Sequence, residues 1–423
     1  MEHSTQIEPF STADGVSIFS SVISDPAIRL AIELAVEAGR DARGNAELFK
    51  LLAESAELSD QPIVGNAWQN HLLNTILSDN NIFARKAELV GVDGIGESLV
   101  NQVRIDLSAL RELYDLDLDS LMSSLPALDG FAPMRAGRVD SPKLAVKQRL
   151  HACVDWSSCI DDLATFYSSH GSGVFGHYRA FRWLSDGGGR LRGVESPDPI
   201  RLSDLVEYEW QRESVTRNTR KLVAGLPTNN MLLYGDRGTG KSSTVKAMLN
   251  EFGDQRLRLV EVAKEQLTDL PEILSILRKR PEKFIIFIDD ISFEENETQY
   301  KALKAVLEGG LEARPANVAL YATSNRRNIV KERWSDRQKE DDEVHSGDTM
   351  QEKLSLSDRF GLKLPFLAPD QEEYLRIVTE LASRANIEMT DDLRLKALSW
   401  QHARSGRSAR QFVDFWIGEQ ALG

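Results

Sequence analysis

The chain predicts an α/β fold: a parallel sheet carrying a phosphate-binding loop, preceded by a mostly helical segment and followed by a helical C-terminus. Three observations carry that reading. Gly235-Asp236-Arg237-Gly238-Thr239-Gly240-Lys241-Ser242 fits the spacing G-x-x-x-x-G-K-[ST]. Its flanks suit it: the apolar run Asn230–Tyr234 reads as a buried strand, and Ser243–Asn250 reads as a helix with an apolar stripe. Strand and helix patterns then alternate, as in a parallel sheet covered on both faces.

The residue types in the loop follow from the chemistry of phosphate. Glycines let the backbone curl so that successive N–H groups converge on phosphate oxygens, and the N-terminus of the following helix adds partial positive charge at the same place. Gly235, Asp236, Arg237, Gly238, Thr239, Gly240, Lys241, Ser242 and Ser243 are therefore the candidate nucleotide contacts. Lys241 is expected to reach the β- and γ-phosphates, and Ser242 to offer its hydroxyl to Mg²⁺.

The 423 residues suggest about two to three domains at roughly 150 residues each. Residues 1 to about 140 read as helices joined by loops. Asn45–Leu58, Ala67–Val90 and Leu99–Leu125 each show helical spacing of apolar residues, and Gly91–Gly96 is a turn-rich break. Pro142–Trp183 reads as another mostly helical stretch. It ends in Phe175-Gly176-His177-Tyr178-Arg179-Ala180-Phe181-Arg182-Trp183, where basic and aromatic residues interleave. Such interleaving suits either base stacking or a buried aromatic cluster with snorkelling arginines, and packing is the preferred reading. Gly187-Gly188-Gly189 and Ser196-Pro197-Asp198-Pro199 read as a linker, giving an accessory domain over 1–190, a core over 200–368 and a helical lid over 369–423.

The net charge is -14, and residues before 200 carry 28 acidic against 17 basic side chains. Charge thus gives no indication of nucleic-acid binding, which depends on neutralising phosphates, although a local basic patch would be compatible with it. No apolar run reaches the roughly 18–20 residues of a membrane span, and the first residues show no signal-peptide pattern. A cytoplasmic protein with no membrane partner is expected. Cys153 and Cys159 read as ordinary reduced thiols rather than a metal pair.

After the loop helix come a strand at Leu257–Val262, a short helix at Pro271–Arg280, a strand at Lys283–Ile288, a helix at Gln299–Leu307, and strands at Asn317–Thr323 and Leu362–Phe366. The charge-dense segment Arg326–Ser355 interrupts this rhythm as an exposed insertion. Phe284-Ile285-Ile286-Phe287-Ile288-Asp289-Asp290 is an apolar strand ending in two acids, at the strand end where ligands of parallel sheets bind. Asp289 is the candidate metal partner alongside Ser242, in the manner of a Walker B acid, and Asp290 the candidate group that orients or activates water.

With these motifs in place, residues 200–423 resemble the AAA+ ATPases of the P-loop NTPase fold. More closely, the chain resembles a bacterial family of ATP-binding proteins designated domain of unknown function 815. The phrases "LLYGDRGTGKSS", "KFIIFIDD", "YKALKAVLEGGLEARP", "YATSNRR" and "SDRFGL" carry that likeness. The resemblance implies ATP and Mg²⁺ as ligands. It implies a sensor role for Asn325, a finger role in trans for Arg359, and hence a homo-oligomer. It also implies a second sensor at Arg410 or Arg407 in the lid, with Arg410 preferred. One departure stands out: many AAA+ proteins carry Asp-Glu where this chain has Asp289-Asp290, so the carboxylate at 290 is one methylene shorter. Two readings of function follow: an ATPase that remodels or loads an unknown macromolecular partner, or a nucleotide-gated adaptor with little turnover. A small-molecule kinase is disfavoured, because it leaves Asn325, Arg359 and the lid unexplained.

Overall fold

The computed structural model describes residues 15–37, 41–59, 61–133, 142–185, 188–293, 298–309, 313–325, 356–400 and 404–422. The charged segment 326–355 and the acids Glu294 and Glu295 lie outside the described residues. Two compact units divide the chain, residues 1–177 and 178–423.

The first unit is helical: α1 (Ser20–Ile23), α2 (Pro26–Val36), α3 (Ala42–Glu57), α4 (Ala67–Ser78), α5 (Ile82–Val90), α6 (Glu97–Tyr114), α7 (Leu118–Leu121), α8 (Pro142–Ala152), α9 (Ile160–His170) and α10 (Gly173–His177). The stretch 67–90 forms two helices rather than one. Asn81 caps α5 by accepting from the Ala84 N–H at 2.8 Å, and its amide donates to Asp79 at 2.7 Å, so short polar side chains take the backbone out of the helix there. Leu72, Leu73, Phe83, Leu107, Leu110 and Tyr167 are among the side chains of the unit's core. Buried polar tips find partners: the Trp68 indole donates to the Leu113 carbonyl at 3.0 Å, and the Tyr167 hydroxyl to the Ile76 carbonyl at 2.6 Å.

The second unit holds a seven-stranded sheet of order β2-β1-β4-β5-β6-β3-β7. The strands are β1 (Ala180–Leu184), β2 (Arg190–Gly193), β3 (Met231–Gly235), β4 (Leu257–Glu261), β5 (Lys283–Ile288), β6 (Val318–Ser324) and β7 (Leu362–Phe366). All pairs are parallel except β1 with β2. The central strands are apolar on both faces because both are covered. Ile285, Phe287, Ala319 and Tyr321 share a core with α11 (Glu209–Val223) and α12 (Lys241–Phe252). The intervening Phe284, Ile286 and Ile288 are equally buried, and α13 (Leu270–Arg278) packs against β6. Next comes α14 (Thr298–Glu308). After β7 the chain forms α15 (Gln371–Arg384), α16 (Asp391–Ser399) and α17 (Gly406–Leu422), which enclose their own core of Tyr374, Ile377, Val378, Leu393 and Phe412 among others.

Residues 180–184 correct the helical expectation for the stretch ending at Trp183. Phe181 and Trp183 are buried while Arg182 between them is exposed, a period of two that belongs to a strand. This strand pairs with β4 through Ala180 and Leu259, so it adds to the sheet. The aromatics are packing groups, not a stacking platform. Of the glycines read as a linker, Gly188 and Gly189 lie just before β2 with φ of 106° and 63°, and a Cβ on Gly189 would stand 2.5 Å from the Trp183 ring; Gly187 lies outside the described residues.

Asp106 anchors the start of the described chain. Fully buried on α6, its carboxylate accepts from the backbone N–H groups of Ser17, Ile18 (2.7 Å) and Phe19 (3.0 Å) and from the Gln102 amide (2.8 Å). Asp106→Ala leaves these donors without their acceptor and is expected to lower stability by about 3 kcal/mol in urea unfolding. A change under roughly 1 kcal/mol would show that the anchor is dispensable.

Candidate nucleotide-binding site

The loop between β3 and α12 takes the conformations that its glycines permit. Gly235, Gly238 and Gly240 have φ of 133°, 77° and 91°. At Gly235 crowding adds to conformation: a Cβ there would lie 2.1 Å from the Phe366 carbonyl oxygen on the neighbouring β7. The next N–H, of Asp236, donates to that same carbonyl at 2.9 Å, and the Asp236 carboxylate accepts from the Ala368 N–H at 2.7 Å. The loop is thus fastened to the end of β7 from two directions. From the lid, the Arg407 N–H donates to the Gly238 carbonyl at 3.1 Å.

Lys241 opens α12 and is 6% exposed. Its ammonium donates to the carbonyls of Gly235 (3.0 Å) and Asp236 (2.6 Å) and to Asn325 Oδ1 (3.2 Å). Burial lowers its pKa below the usual lysine value, against the opposing pull of Asp290, Asp236 and Asp289; Arg407 adds to the lowering.

The carboxylates at the end of β5 divide into two arrangements. Asp289 Oδ1 accepts from the Ser242 hydroxyl at 2.6 Å and from the Thr323 hydroxyl at 2.5 Å. Asp290 turns away in a left-handed conformation, φ 52°. Its N–H donates to Thr323 Oγ1 at 2.8 Å, and its Oδ1 accepts from the Asn325 amide at 2.6 Å. The strained residue is held at both ends by β6. Asn325 joins the two halves of the site, touching Lys241 with its oxygen and Asp290 with its nitrogen.

These groups open into a cleft of about 600 Å³. Its walls include Arg237 to Thr244, Asp289, Asp290, Thr323, Asn325, Arg407 and Arg410. Ile200, Leu205, Val206, Ile377 and Leu381 add apolar surface to its lining. Apolar lining with a few convergent polar groups is the arrangement of a small-molecule site. Arg359 is not among the lining residues. It lies at the turn before β7 and pairs with Glu308, at the end of α14.

Some participants could not be read beforehand. Thr323 sits within a recognisable phrase, yet only the β5–β6 register puts its hydroxyl between two acids. Tyr208 and Glu207 carry successive left-handed backbones, φ 61° and 64°, without glycine. Tyr208 Oη donates to the Leu367 carbonyl at 2.5 Å and Glu207 pairs with Arg376 at 2.8 Å, so contacts to β7's end and the lid hold the strained entry to α11.

The block β4-β5-β6-β3-β7, with its glycine loop after the fourth of these strands and a helical lid after the fifth, has the architecture of a P-loop NTPase fold of the AAA+ class. Within that class, the chain belongs to the family described as "Protein of unknown function (DUF815)", whose profile matches residues 176–420. Among curated proteins, the probable replication factor C subunit 5 of Dictyostelium discoideum is 28% identical over 130 residues. That match spans 28% of this chain and only 36% of the relative's length. Among solved structures, the Thermotoga maritima RuvB Holliday junction branch migration motor is 16% identical, with a TM-score of 0.38 over 53% of this chain and 66% of that one. The FIGL-1 AAA domain in complex with ADP is 18% identical, with a TM-score of 0.36 over 50% of this chain and 70% of that one.

The crowding at Gly235 gives a direct test of the β3–β7 junction. Gly235→Ala is expected to lose about 3 kcal/mol or more in thermal or urea unfolding, because both the side chain and its φ are misfitted. Retention of stability within roughly 0.5 kcal/mol would show that the junction relaxes freely.

Proposed function

We propose that this protein binds ATP with Mg²⁺ in the cleft at the ends of β3, β5 and β6, hydrolyses it, and couples the cycle to remodelling or loading a macromolecular partner. The observation that carries the reading is Asn325, hydrogen-bonded at once to Lys241 and Asp290. A phosphate-binding cation and a candidate base are thereby fixed around one position. The loop residues 235–243 would surround the phosphates, and the apolar lining residues Ile200, Leu205, Val206, Ile377 and Leu381 would suit a base.

The metal's donors fit its chemistry. Ser242 Oγ and Asp289 Oδ1 are adjacent hard oxygens, a pair suited to an ion that keeps waters and phosphate oxygens as its other ligands. Ser242 and Asp289 would hold Mg²⁺, which supplies charge neutralisation on the phosphates when bound. Thr323 keeps Asp289 aimed at Ser242. Lys241 can exchange neutral carbonyl acceptors for phosphate oxygens. Asp290 accepts the proton of an attacking water and Asn325 orients that carboxylate. Both lid arginines face the cleft. Arg407 is fastened to the loop by its N–H on the Gly238 carbonyl, and Arg410 lines the same cleft.

Arg359 supports assembly. It does not line its own cleft, and among the described residues its ion pair is with the partly exposed Glu308 at the end of α14, which leaves a neighbouring copy as the proposed target. The alternative of a nucleotide-gated adaptor rests on Asp290, whose short side chain and left-handed backbone restrict its reach.

Three measurements separate these ideas. Lys241→Ala should weaken Mg²⁺-ATP binding at least tenfold, about 1.4 kcal/mol, with the fold retained; an unchanged Kd removes the phosphate-loop assignment. Asp290→Asn should bind ATP normally and lower kcat by about a hundredfold, whereas an undiminished kcat moves the base elsewhere. Mixing Arg359→Ala with Lys241→Ala subunits should restore part of the lost activity, because one mixed interface pairs an intact loop with an intact arginine. No restoration, together with a rate per chain independent of concentration, would leave a monomeric nucleotide switch.

A further inference from the structure

The chain has two cysteines, Cys153 and Cys159, and both are free thiols. They flank the corner between α8 and α9, in the helical unit and outside the nucleotide cleft. The Cys159 and Cys153 sulfurs stand 2.7 Å apart. A disulfide requires about 2.0 Å, so closing the ring asks for a shift of under about 1 Å. The two sulfurs differ in access: Cys153 is partly exposed, while Cys159 is 1% exposed. The Ser158 hydroxyl stands 3.6 Å from Cys153 Sγ. The corner itself is held firmly. The Trp156 indole donates to the Leu150 carbonyl at 2.8 Å, the Arg111 guanidinium donates to the Cys153 carbonyl at 3.0 Å, and the Tyr114 and Trp156 rings pack 5.0 Å apart.

We propose that Cys153 and Cys159 form a thiol–disulfide exchange site that reacts with small disulfides of the glutathione type, Cys153 attacking and Cys159 resolving. In the first step the Cys153 thiolate attacks one sulfur of the small disulfide. A mixed disulfide forms and one small thiolate leaves, taking up a proton from solvent. In the second step Cys159 loses its proton and attacks Cys153 Sγ, expelling the second small thiolate. The protein pair loses two electrons and two protons; the small disulfide gains them as two thiols.

The division of roles follows from the surroundings. Burial acts to raise the Cys153 pKa, but contacts with the Cys159 thiol first, then with Ser158 and the Asp155 backbone, outweigh it and leave the group below the ordinary thiol value. Burial first, and then the hydrogen bond to Cys153, pushes Cys159 up to about 12. The accessible sulfur therefore carries the more available thiolate. The buried one is a poor first nucleophile, but it sits against the sulfur it must attack, where proximity replaces intrinsic reactivity.

The test uses the full-length reduced protein and oxidised glutathione, read by intact mass and by thiol titration after denaturation. The wild-type chain is expected to lose both thiols and about 2 Da, to form no chain-to-chain disulfide, and to recover fully with dithiothreitol. Cys159→Ser is expected to stop at the glutathione adduct, a gain of about 305 Da, and Cys153→Ser to react at least tenfold more slowly than wild type. Unreacted wild-type thiols, an accumulating adduct without ring closure, predominantly chain-to-chain disulfides, or a Cys153→Ser variant as reactive as wild type would each overturn the proposal. The wild-type result stands by itself if either variant fails to fold.

Discussion

The nucleotide cleft depends on one constraint: the ammonium of Lys241 is buried and must have acceptors. An unpaired charge at such a position is costly, so the loop closes around it with the carbonyls of Gly235 and Asp236 while Asn325 completes the set. All three acceptors are neutral. Among the described residues no carboxylate is within ion-pair distance of Lys241, although Asp236, Asp289 and Asp290 are close enough to act on it. Neutral acceptors bind a cation less firmly than a carboxylate does, and they yield to a phosphate more readily. The same arrangement explains why the loop needs glycine at 235: its carbonyl can face the lysine only if the backbone passes against Phe366.

From this point order spreads through the strand ends. β3 lies between β6 and β7, so the residues leading into the loop are paired with both neighbouring strands. Thr323 uses this position twice, accepting from the Asp290 N–H and donating to the Asp289 carboxylate. Two adjacent acids are thereby given different surroundings. One stands beside a serine hydroxyl at the start of α12; the other is held by an amide in a strained backbone. Divergent environments of this kind let neighbouring carboxylates take separate tasks.

The lid reaches the cleft through a few contacts that can change together. The Arg407 N–H meets the Gly238 carbonyl, Ser405 and Arg407 crowd the Gly238 α-carbon, and Glu207 pairs with Arg376. The paired left-handed residues 207 and 208 line the cleft as well. Strain of this kind persists where surrounding contacts over-determine it.

The amino-acid sequence by itself determined the features written in contiguous residues. The glycine loop, the apolar strand ending in Asp289 and Asp290, and the strands at 283–288 and 362–366 were legible because periodicity and local chemistry specify them within a short span. The resemblance pointed to the fold class through the same phrases. Contacts between distant segments were not legible. The interleaved basic and aromatic residues at 179–183 proved to be a strand because β4 offers an edge for pairing, which no local pattern announces. Thr323 between the acids, Glu308 on Arg359, and the Arg407 N–H on the Gly238 carbonyl arise from register and helix placement. The side chains of Lys241 and Asn325, 84 residues apart in the chain, come within hydrogen-bond reach only once the parallel sheet has aligned its strand ends. That alignment is a property of the packed sheet, decided by tertiary structure.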